Sequence, residues 1–206
     1  MIKNIIFDVG NVLVDFDPEF LLDTLNIDDS VRSVLYSNIF QSPLWNEYDR
    51  STETVLEIKE HFYKDLPEYR MYIDKIFDSI NCMHKIRTFV MPWLEELKNE
   101  GFRLYILSNL AQHTFNKCQD DFHFLNLMDG AVFSFQCHYI KPEDEIYQYL
   151  LETYRLVPEE CVFIDDRSAN INKAREFGIR GILFKNFDDT CAQLKRYLMR
   201  KDDCIV

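Results

Sequence analysis

Asp8, Asp165 and Asp166 are the residues with the most chemistry to offer. Asp8 closes the apolar run that starts at Ile2, and Asp165-Asp166 closes the run that starts at Cys161. Another apolar run hands over to Ser108-Asn109, and the run over Ala131–Phe135 is followed by Lys141-Pro142 at the start of a helix. A carboxylate can act as a nucleophile and split a hard displacement into two easier ones. Three carboxylates on one spot cannot all stand bare, because two like charges ~4 Å apart repel by about 4 kcal/mol at an effective dielectric near 20. They hold protons or they hold a cation. Clustered hard oxygens suit Mg²⁺, which binds through one or two carboxylates plus substrate phosphate. Ser108 and the backbone around Asn109 can hydrogen-bond phosphoryl oxygens, and Lys141 can neutralise charge on both the phosphate and Asp8.

Whether these groups meet depends on the elements that carry them. Short, apolar, β-branched runs predict strands over Ile2–Asp8, Arg103–Ser108, Ala131–Phe135, Cys161–Asp165 and Gly181–Phe184. Most are apolar on both faces, as buried parallel strands are. Helical patterns lie between them, over Pro92–Glu100, Ala111–Asp120, Glu143–Tyr154 and Ala169–Phe177, and Gly101 and Gly178 stand where two of them close. The alternation predicts an α/β fold, a parallel sheet covered by helices. One block breaks it. From about Asp17 to about Lys85 the pattern is helical, with Asp17-Pro18-Glu19 as N-cap, N1 proline and first-turn acid, and further helices over Val31–Phe40, Thr52–Tyr63 and Tyr69–Ile80. In open α/β sheets ligands sit at the carboxyl ends of the strands, which is where all four polar sets fall.

Composition bounds the reading. The 206 residues suit one domain, or one domain with a large insertion. Apolar residues are 47% and charged residues 28%, enough to build a core. The net charge of −12 speaks against nucleic acid and anionic membranes as partners. The 5 glycines cannot write a dinucleotide-binding or P-loop motif. The 6 cysteines form no C-x-x-C pair and read as reduced thiols, and the 5 histidines lack zinc-ligand spacing. The first residues do not read as a signal peptide and no apolar run is long enough for a membrane span, so a cytoplasmic location is expected. The tail Lys201–Val206 is expected to fray.

Phe7-Asp8-Val9-Gly10-Asn11-Val12, Ser108-Asn109, Lys141-Pro142 and Ile164-Asp165-Asp166 resemble the four motifs of the haloacid dehalogenase (HAD) superfamily, in its order and over the whole chain. The stretches FDVGNVLVDFD, KPEDEIYQYLLE and VFIDDRSANINKAREFGI are similar to the bacterial α-D-glucose-1-phosphate phosphatases and the N-terminal phosphatase domain of soluble epoxide hydrolases. The resemblance implies a Rossmann-like core over 1–16 and 86–206 with an α-helical cap over 17–85. It implies Asp8 as the nucleophile that forms an aspartyl-phosphate, Ser108 and Asn109 as phosphate binders, and Lys141 as the stabilising cation. Mg²⁺ would be held by Asp8, the backbone carbonyl of Gly10, and Asp165 or Asp166 or both, with Asn170 orienting that pair. Trp45, Tyr48, Asp49 and Arg50 lie in the cap. They read as packing and surface charge, with contact to the leaving group as the other reading. His113 and His138 read as satisfied or exposed side chains.

The substrate implied is a small phosphorylated metabolite, and the protein is expected as a monomer or weak homodimer. One position departs from the superfamily's phosphatases. Where most carry an aspartate two residues after the nucleophile, as general acid and base, this chain has Gly10. Such a group is worth ~10²–10⁴ in rate. Asp15 or a residue of the cap is left to supply the proton. The alternatives are a metal-free 2-haloacid dehalogenase, in which the carboxylate attacks carbon, and a non-catalytic binding protein of the same fold.

Overall fold

The computed structural model of the protein describes residues 1–198. The expectation of a frayed tail at 201–206 lies outside the described residues.

The chain opens with β1 (Asn4–Phe7) and a short strand β2 (Val14–Phe16). A helical insert follows, made of α1 (Pro18–Thr24), α2 (Asp29–Leu35), α3 (Pro43–Arg50), α4 (Val55–Asp65) and α5 (Arg70–Asp78). The chain returns through β3 (His84–Ile86), antiparallel to β2. Then come α6 (Val90–Asn99), β4 (Arg103–Ser108), α7 (Gln112–Cys118), β5 (Gly130–Phe133), α8 (Ser134–Cys137), α9 (Asp144–Tyr154), β6 (Cys161–Asp165), α10 (Ser168–Glu176), β7 (Arg180–Leu183) and α11 (Phe187–Leu198).

Five strands form one parallel sheet in the order β5-β4-β1-β6-β7. Successive residues of β1 serve opposite faces, because the side-chain period of a strand is two. Ile5 and Phe7 pack with Ile106, Ile164, Trp93 and Leu94, while Ile6 packs with Tyr105, Phe163, Tyr147 and Ile171. Helices therefore cover both faces, which explains why the strands read as continuous apolar runs. The fold is α/β with a central parallel sheet.

The insert has an apolar core of its own, built from Leu21, Leu22, Leu35, Ile58, Phe62, Ile73, Ile76 and Phe77, all fully or nearly fully buried. Local signals set its helix ends. Asp17 accepts from the Phe20 N–H at 2.9 Å ahead of Pro18. Thr54 and Glu57 cap α4 reciprocally.

Three expectations shift. The helix expected over 31–40 is α2 followed by a wide turn at Tyr36–Phe40. The strand expected over 131–135 ends at Phe133. There Gln136 Oε1 accepts the Phe133 N–H at 2.9 Å and the chain turns into α8. Helix α3 and the β2–β3 ribbon add to the elements expected from the sequence.

Candidate active site

β1 is central, with β4 on one side and β6 on the other, so the carboxyl ends of these three strands share one rim. Phe7 is level with Ile106 and Ile164, and the Asp8 N–H donates to the Ile164 carbonyl at 2.9 Å. Register alone therefore brings Asp8 beside Asp165 and near Ser108. Carboxylate oxygens of Asp8, Asp165 and Asp166 lie within 4.8 Å of one another.

Lys141 arrives from the loop between α8 and α9. Its Nζ sits 2.8 Å from Asp8 Oδ1 and 2.7 Å from Asp165 Oδ2, with the side chain 1% exposed. Asn109 sets that placement. Its Oδ1 accepts the Lys141 N–H at 2.7 Å, and its Nδ2 donates to the Lys141 carbonyl at 3.1 Å. The Asn109 amide is thus engaged in holding the lysine's main chain, which leaves the backbone N–H of Asn109, not its side chain, for a phosphoryl oxygen. Ser108 is buried and lines the cavity in front of Asp8.

The two neighbouring aspartates differ. Asp165 is fully buried and accepts from Lys141, from the Arg167 N–H at 2.7 Å, and from Asn170 Nδ2 at 3.0 Å on both oxygens. Asp166 is half-buried, lines the cavity, and accepts from Asn11 Nδ2 at 3.1 Å. Asn170 therefore orients Asp165 and not Asp166. Gly10 also lines the cavity.

Burial dominates the electrostatics. It pushes the Asp8 carboxyl up to about 7, with Lys141 opposing and Asp165 adding. It also raises Asp166, helped by the charge of Asp165. Burial works against the Lys141 ammonium, but Asp165 and Asp8 more than reverse it and its pKa rises. Three carboxylates against one ammonium leave two negative charges without a partner, which one divalent cation would match. Asn170 Oδ1, buried beside them, has no hydrogen-bond partner among the described residues.

The cavity measures about 590 Å³, within the range of small-molecule sites. The insert supplies much of its wall, through Phe40, Gln41, Ser42, Trp45, Asn46 and Asp49. Trp45 packs on Phe40 and Phe16 at ring separations of 4.9 and 6.3 Å. Asp49 is half-buried, and burial first, then the charge of Asp8, pushes its carboxyl up to about 7.

Helix α3 is pinned to the sheet domain. Tyr48 Oη is 2.7 Å from Thr114 Oγ1 and 2.9 Å from His113 Nδ1. Arg50 forms a two-pronged pair with Glu143, and its carbonyl lies 2.8 Å from His138 Nδ1. Both histidines thus serve the junction and neither lines the cavity. Ser134 Oγ donates to the Asp49 carbonyl at 2.6 Å and accepts the Leu110 N–H at 2.9 Å. Ser134→Ala leaves both partners short inside a fully buried site. We expect it to cost about 1.5 kcal/mol, read as a melting temperature about 3–6 °C lower. An unchanged melting temperature would show that the junction does not depend on this hydroxyl.

Residues 2–178 match the model of the haloacid dehalogenase-like hydrolases. The chain belongs to that family. It is an enzyme, a HAD-like hydrolase. It is similar to the D-ribitol-5-phosphate phosphatase of Bacteroides thetaiotaomicron, 23% identical over 186 residues, covering 86% of this chain and 89% of the relative. It is 32% identical to bifunctional epoxide hydrolase 2 of Mus musculus over 143 residues, 64% of this chain and 24% of that protein. The chain thus spans only 24% of that relative and 36% of another, while it spans nearly all of the ribitol-phosphate enzyme. A HAD-family enzyme from Bacteroides thetaiotaomicron, solved with magnesium and inorganic phosphate, superposes with a TM-score of 0.73 at 22% identity, covering 90% of this chain and 95% of that one. No helix among the described residues is long and apolar enough to cross a membrane.

Proposed function

We propose that this HAD-like hydrolase is a Mg²⁺-dependent phosphatase acting on a small phosphorylated metabolite, with residues 17–85 as a cap over a core of 1–16 and 86–206. The observation that carries the reading is the charge-unbalanced cluster of Asp8, Asp165, Asp166 and Lys141 at the floor of the cavity. The family, and the phosphatases among the relatives, support it.

Asp8 is the nucleophile. Its Oδ1 is engaged by the Val9 N–H at 2.7 Å and by Lys141, while Oδ2 accepts no hydrogen bond among the described residues. One carboxylate oxygen is thus oriented and the other is left to attack phosphorus. The phosphoryl group would be received by the Ser108 hydroxyl, the Asn109 N–H and the Lys141 ammonium. The Asp8–phosphorus bond forms as the bond to the substrate oxygen breaks. Water then attacks phosphorus, the acyl-phosphate bond breaks, and Asp8 is restored. Asp8, the Gly10 carbonyl and Asp166 would hold Mg²⁺, which would supply two positive charges to offset the carboxylates and the phosphoryl oxygens. Asp165 would hold Lys141 rather than ligate the metal directly, because it is fully buried and is not among the residues lining the cavity.

The core touches the phosphate alone, so the insert's wall of Phe40, Trp45, Gln41 and Asn46 decides which leaving group fits. The test is phosphate release from a panel of phosphorylated metabolites with Mg²⁺. Complete removal of the metal by a chelator is expected to cut the rate by at least about 10²-fold, and added Mg²⁺ to restore it. Saturating Mg²⁺ is expected to raise the melting temperature by about 5–10 °C. Phosphate release that survives complete removal of the metal would overturn the Mg²⁺ dependence.

A further inference from the structure

A departing alkoxide needs a proton, and the groups already placed do not supply one. Asp8 attacks, Lys141 is bound between two carboxylates, and Asp165 is fully buried among its donors. Asp166 is assigned to the metal. Position 10 has no side chain, although a Cβ there would meet nothing nearer than Phe16 Cβ at 3.9 Å. Asp15 is out of reach, because it pairs with Arg87 Nε at 2.8 Å and is not among the residues lining the cavity. The other ionisable side chains on the cavity wall are Asp49, His84 and Arg167. Arg167 keeps its proton in proteins. Burial holds the His84 imidazole down at about 4, so it carries no acidic proton near neutrality.

Asp49 remains, and its surroundings set it apart from its neighbours on α3. Tyr48 and Arg50, and Ser51 just past the helix, all bond to the sheet domain through their side chains, Ser51 Oγ accepting the Gln112 N–H at 2.9 Å. The Asp49 main chain is held by Ser134, while its carboxyl enters no ion pair among the described residues and lines the cavity with Asp8. The Ala111 backbone is the hydrogen-bonding group it meets. The helix is fixed on both sides of a residue that lines the cavity and feels the charges of Asp8 and Lys141.

We propose that Asp49, carried by the insert, is the general acid and base of this active site, an inference that rests on the phosphatase reading. Its carboxyl proton passes to the leaving oxygen as the bond from Asp8 to phosphorus forms and the phosphorus–oxygen bond to the substrate breaks. Its carboxylate then takes a proton from the water that attacks the aspartyl-phosphate, and phosphate and free Asp8 result. Asp49 returns to its protonated state. Burial favours that neutral form, so a protonated fraction is available near neutrality. The catalytic set is complete only while α3 is docked, so proton transfer is tied to closure and to exclusion of bulk water.

The test compares p-nitrophenyl, phenyl and 4-methoxyphenyl phosphates, which differ in how much their leaving oxygens need a proton. In Asp49→Asn, kcat/KM is expected to fall by about 10²-fold or more for phenyl and 4-methoxyphenyl phosphates and by less than about fivefold for p-nitrophenyl phosphate. A steeper dependence on leaving-group acidity than the wild type supports the assignment. An equal loss on all three substrates overturns it and leaves the phosphatase reading standing. Wild type that releases no phosphate from any of them overturns both. Should Asn at 49 lower the melting temperature, Asp49→Ser carries the same comparison.

Discussion

Asp8→Asn is expected to lower phosphate release by about 10⁴-fold or more and to abolish the acid-stable, hydroxylamine-sensitive phosphoryl group that a trapped wild-type enzyme carries. An asparagine keeps its Oδ1 as acceptor for the Val9 N–H and the Lys141 ammonium, 2.7 and 2.8 Å from that oxygen in Asp8, and puts an amide NH₂, which cannot attack phosphorus, in place of Oδ2. The variant should not be a folding mutant. In the metal-free protein the Asp8 carboxyl is pushed up to about 7, mainly by burial, from an unfolded value near 3.8. Between those values the folded chain keeps a proton that the unfolded chain has lost. Stability from this group is therefore full at low pH and falls as the pH rises through the window, by the sign of proton linkage. Asparagine has no such loss. At pH 8 without metal, Asp8→Asn should melt above the wild type, and its melting temperature should respond less to added Mg²⁺. A variant that is inactive but also melts below the wild type at pH 8 would show that Asp8 serves the fold first.

The opposite directions of these two effects reflect what the strand ends do. The parallel core was legible because each strand is buried on both faces and reads as an uninterrupted apolar run, so Asp8 and Asp165 stand out as abrupt polar stops. Parallel register then fixes their neighbourhood. Lys141 and Asn109 were legible as residues but not as a pair, since 32 positions separate the Asn109 amide from the backbone it clamps.

Helix α3 carried signals of its own, Ser42 as N-cap, accepting the Leu44 N–H at 3.1 Å, and Pro43 at the first turn. It spans only eight residues, too few for a clear period against the helical block around it. A proton donor from the cap was one of the readings the sequence left open, but the choice of Asp49 was not legible. It comes from contacts of α3 with Thr114, Ser134 and Glu143, all distant in the chain. The three-residue strands β2 and β3 pair across the whole insert and give no periodic signal either.

Lys141→Met is expected to damage both activity and fold. The lysine Nζ is nearly inaccessible and lies between Asp8 and Asp165, the second of which is fully buried. Removing the ammonium leaves Asp165 with only the Arg167 N–H and Asn170 as donors, and leaves three carboxylates with no cation from the protein. Breaking a buried pair from one side costs about 3–5 kcal/mol, or roughly 10 °C of melting temperature for a chain of this size. Activity should drop by about 10³-fold, since the same ammonium is the cation nearest the attacking carboxylate. The double variant Lys141→Met with Asp165→Asn separates the two losses. It removes the stranded charge together with its partner, so much of the stability should return. The rate should not, because no ammonium has been restored beside Asp8. If the double variant stayed as unstable as the single one, Lys141 would owe its place to packing against Phe163, whose ring centroid lies 5.3 Å from Nζ, and not to the carboxylates it bridges.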